Sequence, residues 1–293
     1  MKKIGFIGTG VMGASIVKHL LKAGYAVNVY NRTKSKADEV VALGAVWQDT
    51  PALVTKASDV VFTIVGYPQD VEEVYVGEQG IFSEATPAHI LVDMTTSTPT
   101  LAKKLYQLGK DQGIAVLDAP VSGGDLGAKN GTLTVMVGGD QTAYEQAAPI
   151  IEVFSGKMNL QGPAGSGQHT KMANQIMIAG TMVGMSELMV YADKAGLNVE
   201  KVLDTVGGGS AANWSLANYG PRILKQDYSA GFFVKHFIKD LRIALDEADK
   251  MGLTLPGTAL AAQLYEQLAE AGFENDGTQA LIKLWWHSGK PEA

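Results

Sequence analysis

Lys3-Ile4-Gly5-Phe6-Ile7-Gly8-Thr9-Gly10-Val11-Met12-Gly13 opens the chain and decides its fold. A short apolar run leads into Gly8-x-Gly10-x-x-Gly13, and apolar residues then recur at helical spacing. The pattern predicts a strand, a tight glycine turn and the start of a helix. Gly8 permits the turn, Gly10 lets backbone approach a phosphate, and Gly13 lets the helix pack close to the strand. The helix N-terminus offers unpaired N–H groups and a positive dipole end to phosphate. A second strand, Ala26-Val27-Asn28-Val29-Tyr30, follows and ends at Asn31-Arg32-Thr33. The whole is a βαβ unit, so the turn, with Thr9, Val11 and Met12 between its glycines, reads as a dinucleotide-binding site.

Outward from this unit, short apolar strands continue to alternate with helical patterns, the signature of a parallel sheet with crossover helices. A helix is expected over 35–43 and a short one after Pro51. Strands are expected at 60–65, 90–93, 115–118 and 132–137. Two of them end in Asp93 and Asp118, and ligands of open parallel sheets sit at the carboxyl ends of strands. At Gly162-Pro163-Ala164-Gly165 the character changes, and only helical patterns follow. The expected architecture is α/β: an N-terminal Rossmann-like doubly wound sheet over 1–163, then an all-helical substrate and dimerisation domain over 164–293. The first helix of the second half, about 168–195, is apolar around much of its circumference. Met172, Ile176, Met177, Met182, Met185 and Met189 read as buried packing, with Gly180 and Gly184 allowing close helix approach. A helix apolar on most sides needs covering by other helices, including those of a second subunit, so a homodimer or homotetramer is expected.

At 293 residues two domains is the natural expectation. The net charge of −6 argues against non-specific nucleic-acid binding, which needs a basic surface. The chain contains no cysteine, which excludes disulfides, thiol nucleophiles and cysteine metal sites and suits a reducing cytoplasm. The five histidines show no ligand spacing, so no metal is expected. The apolar start is broken by glycines too early for a signal peptide. The most membrane-like run, 176–190, is shorter than a spanning helix requires and is bracketed or interrupted by Asn174, Gln175, Ser186 and Glu187.

Four further segments carry chemistry. Asp118-Ala119-Pro120-Val121-Ser122-Gly123-Gly124 follows a strand and presents a hydroxyl and exposed backbone N–H groups, which can hold a carboxylate without a charged side chain. Read alone, it is equally a glycine-rich loop with no ligand. In Gly165-Ser166-Gly167-Gln168-His169-Thr170-Lys171-Met172-Ala173-Asn174, Lys171 and Asn174 stand one helical turn apart on one face. A lysine in a desolvated cleft exchanges a proton with a carbonyl or hydroxyl oxygen, whereas on an open helix face it does nothing. Phe232-x6-Lys239-Asp240 lies in a helical pattern; adjacent residues point in different directions, and alone the pair reads as a solvated face. Asp93-Met94-Thr95-Thr96-Ser97-Thr98-Pro99 is a strand end with a proline-led helix cap, and its position suits cofactor contact.

Taken in chain order, the four signatures Gly8–Gly13, Asp118–Gly124, Gly165-x-Gly167-x-x-x-Lys171-x-x-Asn174 and Lys239-Asp240 resemble the β-hydroxyacid dehydrogenase family, the group of 3-hydroxyisobutyrate dehydrogenases, tartronate semialdehyde reductases and glyoxylate/succinic semialdehyde reductases. The resemblance covers essentially the whole chain. It implies Lys171 as the catalytic acid/base, and Ser122, Gly123 and Gly124 as the holders of a substrate carboxylate. It further implies that Asn174 orients the reacting oxygen and that Lys239 lies near both nicotinamide and substrate. Thr96 and the turn Val65-Gly66-Tyr67-Pro68 are implied to line the cofactor. One departure is visible: many members place a second Asn after Asn174, where this chain has Gln175.

An NAD-selective site ends its second strand in Asp or Glu, whose carboxylate accepts from the ribose 2′-hydroxyl. Here Asn31, Arg32 and Thr33 stand in that place, with no carboxylate to repel a 2′-phosphate and an Arg to pair with it. NADP(H) is therefore the expected cofactor, with NAD usable. The expected reaction is hydride transfer between it and a small carboxylate-bearing 3-hydroxy acid or semialdehyde. Trp214 and Phe232 are equally candidates for an apolar pocket wall and for helix packing. Other readings are weaker. A non-catalytic scaffold or an imine-reducing relative would lack Lys171, a 6-phosphogluconate dehydrogenase would need a longer helical domain, and a serine hydrolase would need a Gly-x-Ser-x-Gly elbow.

Overall fold

A computed structural model describes residues 2–287. The chain divides into two compact units, Met1–Lys171 and Met172–Ala293. The first unit holds nine strands among the described residues: β1 (Ile4–Ile7), β2 (Val27–Tyr30), β3 (Val46–Trp47), β4 (Val60–Thr63), β5 (Ile90–Asp93), β6 (Ala115–Asp118), β7 (Val121–Ser122), β8 (Leu133–Gly138) and β9 (Ser155–Gly162). Their order in the sheet is β3-β2-β1-β4-β5-β6-β8-β7, with β9 paired to β8. The helices of this unit are α1 (Val11–Lys22), α2 (Asp38–Ala42), α3 (Pro51–Lys56), α4 (Pro68–Val76), α5 (Pro99–Asp111), α6 (Gly124–Asn130) and α7 (Gln141–Ile151). The sheet is doubly wound because both of its faces are apolar and covered. Ile4, Phe6, Val29, Phe62 and Val92 build one core, and Ile7, Val61, Leu91 and Val116 the other.

The first six strands pair in parallel, as the alternating pattern predicts. The sheet is nevertheless mixed: β8 runs antiparallel to β6 and β7, and β9 parallel to β8. Sequence reading misses β9, Ser155-Gly156-Lys157-Met158-Asn159-Leu160-Gln161-Gly162. This strand has no fully buried residue and brings only Met158 and Leu160 to the core, so it shows too little apolar alternation to be seen. The helix expected over 35–43 begins as a 3-10 turn, Lys34–Ala37, and only then becomes α2.

Helix α8 (Ser166–Lys194) is continuous for 29 residues and carries the division between the units within it. Its first turns belong to the sheet's unit because Asp118, at the end of β6, accepts from Gly165 N at 2.8 Å and Gln168 N at 2.9 Å. Among the described residues it is the one helix long and apolar enough to cross a membrane by length and composition; the expectation of a shorter segment is corrected. A core helix meets the same test, and Ala179, Met182, Met185 and Met189 are fully buried in the core of the second unit. That core is shared with α9 (Val199–Gly207), α10 (Trp214–Leu224), α11 (Val234–Lys250) and α12 (Pro256–Leu268).

One expectation for α8 fails: Met177 is 67% exposed rather than buried. Gly180 and Gly184 face open space, where an added Cβ would meet nothing within 4 Å among the described residues. Helical periodicity places an apolar residue on a face but does not say whether a neighbour covers that face.

Candidate active site

At the carboxyl end of β1 the chain turns through Gly8 at φ +101°, a conformation only glycine adopts without strain. A Cβ there would overlap the Ile64 carbonyl, and one on Gly13 would overlap the Gly8 carbonyl oxygen. A Cβ on Gly10, by contrast, would meet nothing within 4 Å. Two of the three glycines are thus required by the protein's own packing, and the third faces open space. Gly10 is also the N-cap of α1 and supplies no side-chain cap, so the first-turn N–H groups are left for an anion. The buried Thr9 hydroxyl beside them has no hydrogen-bond partner. This cradle fits a dinucleotide pyrophosphate.

Asn31, at the end of β2, accepts from Thr9 N at 3.0 Å and donates to the Thr33 carbonyl at 2.8 Å. It is a tie that holds the glycine turn against the neighbouring strand. Arg32 is 84% exposed along its side chain, and its Nη1 lies 2.8 Å from Asp70 Oδ1. The expectation of no carboxylate at this place is therefore corrected. Asp70 arrives from the start of α4, where its other oxygen accepts from Tyr67 N at 3.1 Å. Sequence reading looked for the carboxylate only at the end of β2. The available signal was Asp70 as the third residue of a helix opened by Pro68.

The ends of β4, β5 and β6 are joined by a buried polar network. Val65 N donates to Thr95 Oγ1 at 3.0 Å, and Thr95 N to Asp93 Oδ1 at 3.0 Å. Gln168, fully buried at the start of α8, donates to the Thr95 carbonyl at 2.7 Å and accepts from Ser97 N at 3.0 Å. Half-buried Thr96 sits between these two anchored residues. Burial raises the Asp118 pKa, and the N–H groups of Gly165 and Gln168 oppose that rise by stabilising the carboxylate. Gln168 and Asp118 are positioning residues; the sequence marks Asp118 only as a strand end and gives Gln168 no role, because the burial of either side chain shows only after folding. Together they fix the start of the helix that carries Lys171, which is 7% exposed. The open-surface alternative for Lys171 is excluded.

After β6, the turn through β7 places Ser122 before Gly123 at φ +122° and Gly124 at φ +61°. Two successive positive φ values explain the glycine pair. They turn the chain into α6, whose N-cap, Gly123, supplies no side-chain cap.

The second unit contributes a separate cluster. Asn174 Nδ2 donates to Gln175 Oε1 at 2.8 Å, and Gln175 Nε2 donates to Asp240 Oδ2 at 2.6 Å. Asp240 Oδ1 lies 3.1 Å from Lys239 Nζ, and the two side chains are only 1% and 12% exposed. The solvated-face reading of Lys239-Asp240 is thus corrected. Although adjacent in sequence, the two residues pair. Burial, reinforced by the Lys239 ammonium, lowers the pKa of His236 one turn earlier. Trp214 is 51% exposed and meets Tyr219 edge-on at 5.3 Å, while Phe232 meets Phe237 edge-on at 5.8 Å.

Residues 3–162 match the family described as the NAD-binding domain of 6-phosphogluconate dehydrogenase. Residues 165–285 match the family described as NAD-binding of NADP-dependent 3-hydroxyisobutyrate dehydrogenase. The chain belongs to the 3-hydroxyisobutyrate dehydrogenase, or β-hydroxyacid dehydrogenase, family. Membership makes it an NAD(P)-dependent oxidoreductase. Within this β-hydroxyacid dehydrogenase family it is 53% identical over 284 residues to an uncharacterized oxidoreductase of Bacillus subtilis, covering 97% of this chain and 99% of that one. It is 37% identical to the 2-hydroxy-3-oxopropionate reductase of Escherichia coli, covering 96% of each. The structure of Mycobacterium tuberculosis 3-hydroxyisobutyrate dehydrogenase with L-serine superposes with a TM-score of 0.89 at 30% identity, over 97% of this chain and 99% of that chain. Among the described residues no group of three His, Cys, Asp or Glu is placed to hold a metal.

Proposed function

We propose that this chain is an NADP(H)-preferring dehydrogenase of small 3-hydroxy acids, resembling 3-hydroxyisobutyrate dehydrogenase, with Lys171 as its acid/base. The observation that carries the reading is the burial of Lys171 on the helix turn held by Asp118 and Gln168. A bound nicotinamide dinucleotide supplies or takes up the hydride. Lys171 gives a proton to the carbonyl oxygen as it becomes a hydroxyl and takes it back in oxidation. Ser122 and the N–H groups of Gly123 and Gly124 hold the substrate carboxylate, Asn174 orients the reacting oxygen, and Lys239 stands beside the nicotinamide and substrate. Thr96 and Val65 line the cofactor.

The substrate class is supported by what the relatives are named for. L-serine, present in the Mycobacterium tuberculosis structure, carries a carboxylate and a 3-hydroxyl. A second reading, reduction of a tartronate-type semialdehyde, is favoured by the Escherichia coli relative. A panel of 3-hydroxy acids and semialdehydes assayed with both cofactors decides between them. The highest kcat/KM is expected for a 3-hydroxy acid of about the size of 3-hydroxyisobutyrate, and inactivity with every member would overturn both readings. Exposed Met177 and Tyr191 on α8 support assembly into a homodimer or homotetramer as part of the proposal.

Cofactor preference rests on Arg32. Its guanidinium has five N–H donors, so one bond to Asp70 leaves most of the planar fork for a 2′-phosphate. In Arg32→Ala the phosphate loses its partner and faces the Asp70 carboxylate alone. The NADPH-to-NADH ratio of kcat/KM is expected to fall about tenfold to a hundredfold, the range of a charge-assisted hydrogen bond. An unchanged ratio would remove Arg32 from the proposal.

A further inference from the structure

The buried cluster of the second unit has a direction built into it. A carboxylate held against an ammonium, as Asp240 is against Lys239, has no proton to give and can only accept. Gln175 must therefore turn its NH2 end to Asp240, as it does at 2.6 Å. That leaves its carbonyl oxygen toward Asn174, and a carbonyl can only accept. Asn174 must then turn its own NH2 end inward, as it does at 2.8 Å, so its other polar atom, Oδ1, is an acceptor. The two ends of a carboxamide have nearly the same shape, and only the hydrogen-bond network decides which one points where. Gln175 and Asp240 are each 1% exposed, so no bulk water competes for these bonds.

We propose that Asp240 and Gln175 are positioning residues that set the polarity of Asn174, so that Asn174 offers its substrate a hydrogen-bond acceptor and thereby selects a ligand whose reacting oxygen is a hydroxyl. The proposal rests on the reading of Asn174 as the residue that orients the reacting oxygen. It assigns Gln175, the position where this chain departs from many relatives, the task of passing polarity from a buried charge to the site.

Substitution at Asp240 inverts the relay. In Asp240→Asn the new side chain keeps its oxygen toward the Lys239 ammonium and turns its NH2 to Gln175. Gln175 then reverses, Asn174 reverses after it, and the site is offered a donor. In Gln175→Glu the carboxyl oxygen facing Asn174 still accepts from it while the other shares a proton with the Asp240 carboxylate, so the polarity of Asn174 is kept although two carboxyl groups now meet. A merely structural role for the cluster predicts the opposite ranking, because the paired carboxyls of Gln175→Glu strain the fold more than the isosteric amide does.

The test measures dissociation constants for 3-hydroxypropionate, 3-methoxypropionate and 3-fluoropropionate in the presence of NADPH, where no turnover occurs. The two analogues lack a hydroxyl donor, and one is larger and one smaller than the hydroxy acid, so size alone cannot produce a common trend. The native protein is expected to favour the hydroxy acid by about tenfold or more over both, the scale of one buried hydrogen bond. Asp240→Asn is expected to lose about that factor, and Gln175→Glu to keep it within about threefold. Gln175→Met, which changes no charge and ends the relay, is expected to lose it as well and serves if a charge-altered variant does not fold. An unchanged preference in Asp240→Asn or in Gln175→Met overturns the proposal. So does a Gln175→Glu protein that binds NADPH normally yet loses the preference. Should the native protein bind NADPH but none of the three acids, the substrate reading itself has failed, and the inference falls with it.

Discussion

Replacing Lys171 by alanine is expected to lower kcat about 10²- to 10⁴-fold, the range for loss of a general acid–base group, while NADPH binding stays unchanged. The separation follows from where the residue is held. The dinucleotide cradle is formed by the glycine turn after β1 and the start of α1. Lys171 stands on α8, whose first turn is fixed by Asp118 and Gln168. Removing a side chain beyond those anchors leaves the anchors intact. Lys171→Arg is expected to fail as a rescue, since guanidinium keeps its proton at any pH the enzyme survives. Steady-state turnover together with NADPH titration by fluorescence checks both halves. Near-native turnover in Lys171→Ala would refute the assigned role.

The second large effect is expected at Gly13. A Cβ there overlaps the Gly8 carbonyl oxygen and stands 2.9 Å from Phe6 Cε1, so α1 must move off β1 or the turn must open. Overpacking of this kind costs about 1–3 kcal/mol, and here it falls on the cradle itself, so NADPH affinity should drop about tenfold to a hundredfold as the melting temperature falls. Gly10→Ala gives the contrast. Its Cβ meets no protein atom within 4 Å, so stability should fall by only about 1 kcal/mol or less, the scale of exchanging glycine for alanine at an N-cap. The methyl group nevertheless stands where the backbone approaches the pyrophosphate, so NADPH affinity should fall with a smaller drop in melting temperature than in Gly13→Ala. Equal melting temperatures for the two variants, or undiminished NADPH binding by Gly10→Ala, would contradict this division of labour among the glycines.

Much of the site was legible before folding because its parts are local. The glycine spacing, the strand ends at Asp93 and Asp118 and the helix bearing Lys171 and Asn174 each depend on residues within about one turn of one another. Local sequence therefore carried the Rossmann-like first half, the helical second half and the NAD(P) cradle, and order along the chain pointed to the family. What it could not carry were pairings between residues distant in sequence. Asp70 reaches Arg32 across 38 positions, Gln168 reaches Thr95 and Ser97 across more than 70, and Gln175 reaches Asp240 across 65.

The sequence by itself determined which backbone can approach a phosphate, since only glycine tolerates the φ of Gly8 and the closeness at Gly13. Tertiary structure alone decided the charge environment: whether Arg32 stands alone, whether Lys171 is buried, and which end of Asn174 is an acceptor. Backbone conformation is governed by short-range sterics that a peptide already feels. The charge environment depends on which distant polar groups share a dry space, and such a space exists only once each unit has folded.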